Sequence, residues 1–232
     1  MEKEIEKIYE DENILVLNKP SGLVVNRSNT NTGETLQDIL ERDFLPDVMN
    51  ADDEEYKSRS GLVHRLDKDT SGVIVVAKNV DSFYFLQKQF KERNVYKEYV
   101  ALVRGRVDDE EIEVNASLAR NPNSPLKYAV VSDGKPALTR INKIRNVNIE
   151  GNDYTLLKIV PKTGRTHQIR VHLSAIGHSI VCDKIYCANN LLEVDSKTFR
   201  RLMLHAKILG FSNPKTLKFQ RFEAPLPIDF QL

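Results

Sequence analysis

Between Gly61 and Gly72 the chain carries His64, Arg65, Asp67, Lys68, Asp69, Thr70 and Ser71, and an uninterrupted apolar run, Val73 to Ala77, follows directly. This juxtaposition constrains the fold more than any other feature. A continuous β-branched run reads as a buried strand. The polar insert must therefore leave a core and re-enter it within a few residues, which suggests a loop held rigidly by its scaffold. Loops rich in Asp, Ser, Thr and Gly are common, so the spacing by itself also permits a plain charged turn.

The rest of the chain reads as strands that often follow one another directly. Ile14 to Leu17 is a short apolar run closed by Asn18-Lys19-Pro20-Ser21-Gly22, a strand entering a turn. Tyr96 to Val103, Tyr154 to Val160 and Leu204 to Phe211 are further strands. Thr35 opens a helix, and Pro46 to Ser60 is polar enough to read as a surface loop. Asp81 to Arg93 places Phe83, Leu86 and Phe90 on one helical face. Thr166 to Ile176 spaces Ile169, Leu173 and Ile176 as a helix, with Gly177 at its C′ position. Asn121 to Pro125 and Ser132 to Pro136 are turns, and Pro225-Leu226-Pro227 is extended. This order favours an α+β fold over a regular βαβ fold.

With 232 residues and 41% apolar content the chain can bury a core. No apolar stretch reaches the roughly 18 residues of a membrane span, and the charged N-terminus lacks an apolar signal core, so a cytoplasmic location is expected. Cys182 and Cys187 are too few for a disulfide scaffold, and with His178 they match no common zinc spacing. They read as buried or idle thiols, and no metal is expected. The net charge of +1 argues at first against a nucleic-acid partner, but the charge is unevenly placed. No acid lies between Tyr154 and Cys182, where Lys158, Lys162, Arg165 and Arg170 occur. Asp133 is the one acid between Val114 and Ile149, against Arg120, Lys127, Lys135, Arg140, Lys143 and Arg145. If these segments share a face, it is positive; composition alone favours ordinary solvated cations.

Three kinds of chemistry compete for the polar insert. A protein kinase loop also begins His-Arg, but its Asp follows the Arg directly, whereas Leu66 intervenes here, and no Asp-Phe-Gly follows. A retaining glycosidase needs two facing carboxylates. Asp67 and Asp69 are two residues apart, and the insert offers no facing pair. The remaining reading is a lone carboxylate acting on a nucleoside.

His64-Arg65-Leu66-Asp67-Lys68-Asp69-Thr70-Ser71-Gly72 resembles the motif of the RluA-type RNA pseudouridine synthases. Other segments resemble that family in the same order: Asn18 to Leu23, Val95 to Val103, Gly164 to Leu173, Leu204-His205-Ala206 and Phe222 to Pro227. The matches span nearly the whole chain. The resemblance implies a mixed, mainly antiparallel sheet split into two halves around a central catalytic cleft. It implies one catalytic domain over residues 1–232, with no room before Ile14 for a separate RNA-binding domain. It implies isomerisation of uridine in rRNA or tRNA to pseudouridine by a monomer, without metal or organic cofactor. A catalytically inactive RNA-binding protein on the same fold is the alternative.

On this resemblance Asp67 is the catalytic carboxylate, Arg170 its guanidinium partner and Tyr99 the active-site tyrosine that stacks on uracil. Leu204 lines the pocket, although core packing would explain it nearly as well. Arg65 and Arg165 are substrate-pocket residues, with Arg65 filling the space of the extruded base or gripping phosphate. His64, Lys162, His167, Arg120, Lys127 and Arg140 are candidates for RNA contact; for His64 a structural, hydrogen-bonded role is as good a reading. Tyr96, three residues before Tyr99, is read as structural. Asn26, Ser179, Cys182 and Cys187 depart from residues frequent in the family, which bears on local turns and substrate preference.

Overall fold

The computed structural model describes residues 5–28, 31–122, 124 and 127–232. Its apolar runs sort the chain into two compact units: Met1–Tyr96 with Ala206–Pro225, and Lys97–His205 with Leu226–Leu232. Most strand ladders are antiparallel, and the helices are few and short, giving an α+β protein with a mainly antiparallel sheet. Among the described residues no helix is long and apolar enough to cross a membrane.

The first unit begins with β1 (Glu6–Glu10) and β2 (Ile14–Lys19), which pair antiparallel. Short α1 (Leu36–Ile39) starts with a capping box in which Thr35 and Asp38 satisfy each other's orphan amides. A 3-10 turn at Pro46–Asn50 and α2 (Glu54–Ser58), capped by Asp53, occupy the segment expected to be an irregular loop. Their caps and one buried face, Val48 and Tyr56, supply the order that polar composition concealed. Then come β3 (Ser71–Ala77), buried along its whole length, and α3 (Val80–Glu92). Asn79 caps the N-terminus of α3 by accepting from Ser82 N–H, and Arg93 ends it in the left-handed region. Its buried face is Ser82, Phe83, Leu86 and Gln89; Phe90, expected in that face, is only partly buried, with its ring stacked on His64.

The second unit is built on β4 (Tyr96–Arg104), β5 (Glu111–Asn115), the two-stranded β6 (Leu118–Arg120) and β7 (Tyr128–Val130), and the long hairpin of β8 (Leu138–Ile149) and β9 (Asn152–Pro161). Its ladder order is β4-β9-β8-β5. Helices α4 (Gln168–Ala175) and α5 (Asn189–Thr198) follow. Helix α4 ends in a Schellman arrangement: Gly177 at φ +87°, with His178 N–H donating to Leu173 O and Gly177 N–H to Ser174 O. Part of the turn expected at Asn121 to Pro125 lies outside the described residues. The chain then runs through β10 (Leu204–Ser212) into β11 (Phe219–Glu223), which pairs with it in the first unit.

In the first unit β2 and β3 are buried along nearly their whole length. Ile14 to Leu17 and Ile74 to Ala77 are all fully buried, and their register aligns Ile14 with Ala77 and Lys19 with Gly72. Each such aliphatic side chain contributes about 1.5–3 kcal/mol on burial. The polar insert is fixed at both ends by backbone approaching backbone. Gly61 has φ +74°, and a Cβ there would lie 2.2 Å from Ala77 O. Gly72 has φ +118°, and a Cβ there would lie 2.1 Å from Ala206 O. No side chain fits either position, so the glycines are required by space and by dihedral.

Gly72→Ala is therefore expected to destabilise the protein by roughly 3 kcal/mol or more. Gly33→Ala, whose added Cβ would meet only Asn31 Oδ1 at 3.9 Å, should stay within about 0.5 kcal/mol of the parent. Urea unfolding of both variants checks this; equal stabilities would show that the first unit yields at Gly72.

Candidate active site

The loop from Gly61 to Gly72 alternates anchors and presented groups. Leu62, Val63, Leu66, Thr70 and Ser71 are buried, Arg65, Lys68 and Asp69 are exposed, and Asp67 is partly exposed. Leu66 thus roots the loop in the core immediately before Asp67. After Asp67 the chain turns, with Thr70 N–H donating to Asp67 O at 3.1 Å. This turn is clamped onto the Lys19-Pro20-Ser21-Gly22 turn. Gly22 N–H donates to Lys68 O at 2.8 Å, and Ser21 Oγ to Asp69 O at 2.7 Å. Lys19 is fully buried, and its ammonium donates to the carbonyls of Pro20, Leu23 and Lys68 at 2.9, 2.9 and 3.1 Å. A buried charge is tolerated only when so hydrogen-bonded. Lys19 therefore holds the turn that follows Asp67, a role that the sequence pattern did not reveal.

His64 takes the structural place. Its Nε2 accepts the Val75 N–H at 3.1 Å, and its ring stacks on Phe90 with centroids 4.5 Å apart. Arg65, next to it, is exposed. Tyr96 lies under the Arg221 guanidinium, 4.7 Å from it, which accounts for it as a structural residue.

In the second unit Tyr99 sits on β4 opposite Ile159, partly buried against the core. Leu204 is buried in that same core. Arg170 lies on the first turns of α4 and is almost wholly buried. Its Nε and Nη2 donate to Asp183 Oδ2 and Oδ1, each at 2.8 Å, so the Nε–Nη2 edge of the guanidinium is occupied by Asp183.

Two buried polar residues set the position of α4. Gln168 Oε1 accepts from Thr163 Oγ1 at 2.7 Å and Arg165 N–H at 3.0 Å, while its Nε2 donates to Leu138 O at 3.0 Å and Thr139 Oγ1 at 2.9 Å. His172, fully buried, bonds through Nδ1 to Thr139 Oγ1 at 2.9 Å and through Nε2 to Ala116 O at 3.0 Å. Both residues tie the helix to β8 and its neighbours. Burial lowers the His172 pKa from its ordinary value, because the imidazolium cannot be solvated there, and the Ala116 carbonyl opposes the shift.

The RNA-contact candidates divide into two groups. Arg140 pairs with Glu113 at 2.8 Å, and Lys143 beside it pairs with Glu110 at 2.7 Å. The antiparallel register of β5 on β8 brings these acids opposite the cations, so this strand does not add to the positive face that the sequence suggested. Among the described residues Arg120, Lys127 and Lys135 have no salt bridge. Arg120 lies over the Tyr128 ring at 5.8 Å, and its hydrogen bond, with one from Thr166, lowers the Tyr128 phenol pKa. Arg165 Nε donates to Pro136 O at 3.2 Å, and Lys162 is exposed. His167 has φ +54°, and its Nδ1 bonds to Tyr186 Oη at 2.9 Å. Cys182 and Cys187 are buried free thiols; burial pushes the Cys182 thiol up to about 11.

A family model described as RNA pseudouridylate synthase matches residues 13–175. An uncharacterised RNA pseudouridine synthase of Helicobacter pylori is 38% identical over 97% of this chain and 68% of its own length. The ribosomal large subunit pseudouridine synthase D of Pseudomonas aeruginosa is 37% identical over 98% of the chain and 70% of its own. Among solved structures, human RNA pseudouridylate synthase domain containing 1 superposes with a TM-score of 0.79 at 29% identity, covering 97% of this chain and 84% of the other.

His172 gives a pH prediction. Its folded pKa lies below the unfolded value of about 6.5, so the unfolded chain takes up the proton first. Stability present at neutral pH should fall as the pH drops below about 6.5. Urea midpoints between pH 7.5 and 5 should show this decline, and His172→Gln should flatten it; an unaltered slope would assign the decline to other groups.

Proposed function

The chain belongs to the RNA pseudouridylate synthase family and is an RNA-modifying isomerase that turns uridine into pseudouridine; we propose that Asp67 is its catalytic carboxylate, acting with Arg170 and Tyr99. The observation that carries this reading is the clamping of Asp67. Two glycines without room for a side chain bracket its loop, and the buried Lys19 ammonium fixes the turn that follows it.

The reaction cleaves the N1–C1′ bond, turns the uracil, joins C5 to C1′ and removes the C5 proton. An ionised carboxylate serves it by bonding to the nucleoside or by stabilising charge near C1′ and taking a proton from the sugar. A guanidinium beside the carboxylate favours the ionised form against burial. Arg170, held edge-on by Asp183, supplies that guanidinium. Tyr99 stacks on the uracil, and its hydroxyl helps to remove the C5 proton. The target uridine leaves its stack to reach these groups, and Arg65 takes the vacated place or grips phosphate. Arg120, Lys127, Lys162 and Arg165 contact the RNA backbone. We assign the RNA to the large ribosomal subunit, because several relatives at 36–37% identity are named for it.

The test is tritium release from transcripts carrying tritium at uracil C5. The protein should release tritium from large-subunit rRNA fragments, and release confined to tRNA would move the assignment. Asp67→Asn should lower the single-turnover rate by at least about 10³-fold with RNA binding kept; activity within tenfold of the parent would sink its role. Arg170→Lys, which keeps the charge but loses the planar fork, should be slower by about 10²-fold.

A further inference from the structure

Arg170 is gripped from two directions. Edge-on, Asp183 takes Nε and Nη2 at 2.8 Å each. Asp183 is itself fully buried, and its Oδ1 also accepts the backbone N–H groups of Ile185 and Tyr186 at 3.0 and 3.1 Å. Cys187 N–H donates to the Asp183 carbonyl at 2.9 Å, so the chain curls around its own carboxylate. Face-on, the Tyr186 ring lies 5.2 Å from the guanidinium carbon. The hydroxyl of the same tyrosine accepts Tyr128 N–H at 2.9 Å and bonds His167 Nδ1 at 2.9 Å. Tyr128 is on β7 of the hairpin that also carries Arg120.

We propose that Asp183 and Tyr186 are positioning residues for the isomerisation, which fix the plane and direction of the Arg170 guanidinium and, through the Tyr186 hydroxyl, tie it to the β6–β7 hairpin. The proposal rests on the catalytic reading of Arg170 given above. A guanidinium sits on several rotatable bonds. The Asp183 fork stops rotation within its plane, and the Tyr186 ring stops tilting out of it. Neutralising a buried arginine needs only the carboxylate. The ring and the two backbone amides add orientation, and orientation is what a group that must meet a reacting carboxylate requires before substrate arrives. The hydroxyl adds a second function. It joins the arginine to a hairpin bearing two RNA-contact candidates, so that an RNA held at Arg120 and Lys127 presses on the same framework that orients the guanidinium.

Single-turnover rates at saturating RNA, with KM measured separately, test this on folded variants. Tyr186→Leu should be slower by about thirtyfold, because the ring that aligns Arg170 is lost, and its KM for RNA should rise as in Tyr186→Phe, because the hydroxyl is lost with it. Tyr186→Phe keeps the ring and should hold the rate within about threefold, while KM for RNA rises several-fold as the tie to the hairpin is lost. The double variant Tyr186→Leu with Arg170→Lys should be no slower than Arg170→Lys alone, since both remove one aligned guanidinium. A merely structural tyrosine would instead give multiplying losses, and that result overturns the proposal. So does a Tyr186→Leu rate within about threefold of the parent, or a Tyr186→Phe rate as slow as that of Tyr186→Leu. If Arg170→Lys itself keeps the parent rate, the catalytic reading of Arg170 fails, which is a separate outcome. Asp183→Asn is the corroborating variant. In its folded fraction it should slow the chemical step, and a parent rate there counts against the proposal.

Discussion

A charge or amide taken out of water must find partners in the protein, and both units are organised around that demand. In the first unit the buried Lys19 ammonium meets it with carbonyls from two turns that are distant in sequence. In the second, Asp183, Gln168 and His172 meet it with partners from β8, the segments before and after α4, and the guanidinium of Arg170. Each of these groups would cost several kcal/mol if left unpaired, about 3–5 for a broken buried ion pair. The Asp67 loop and the segments around α4 are therefore held by buried polar bonds that are costly to break.

Legibility in the sequence follows from what each element is stabilised by. Strands β2 and β3 were readable because their apolar runs are continuous, and α3 because its buried face recurs at helical spacing and Asn79 stands at its cap. Strand β8, the longest, was not. Its residues Arg140, Lys143, Arg145, Asn146 and Asn148 leave little apolar pattern, and pairing with β9 and β5 supplies its order. Strand β1 and helix α5 are likewise polar, and β1 is fixed by its ladder with β2. In the candidate site the loop around Asp67 was readable because its polar residues are consecutive. The bond between Arg170 and Asp183 was hidden, since a carboxylate thirteen residues away carries no mark of its partner. Tyr186 could have been noticed only as an aromatic close to that acid.

The charge pattern shows how three-dimensional neighbours revise a linear count. The acid-poor stretch from Val114 to Ile149 would be positive if its segments shared a face, yet the acids just before it, Glu110 and Glu113, return beside Lys143 and Arg140. Exposed pairs of this kind contribute little stability, but they do cancel potential. What remains positive is local: Arg120, Lys127 and Lys135 around the β6–β7 hairpin, with Lys162 nearby in sequence to Arg165. A net charge of +1 is thus compatible with an RNA-binding protein, because binding depends on where unpaired cations lie.

Two buried arginine–aspartate pairs in the second unit separate stability from orientation. Asp195 accepts from Arg104 Nη1 at 2.6 Å and Tyr154 Oη at 3.1 Å, both on Oδ1, and its Oδ2 has no hydrogen-bond partner among the described residues. Burial raises its pKa, with Arg104 opposing, so the carboxylate is held in an environment that disfavours its charge. Asp183 has both oxygens engaged, by two guanidinium nitrogens and two backbone amides. A pair that only filled a gap in the core would resemble the first. The second has the geometry of a fixture, with its carboxylate immobilised by the backbone and its arginine immobilised by the carboxylate and a ring. Directional hydrogen bonds in a dry site cost most to misplace, and it is the arginine expected at the reacting carboxylate that receives them.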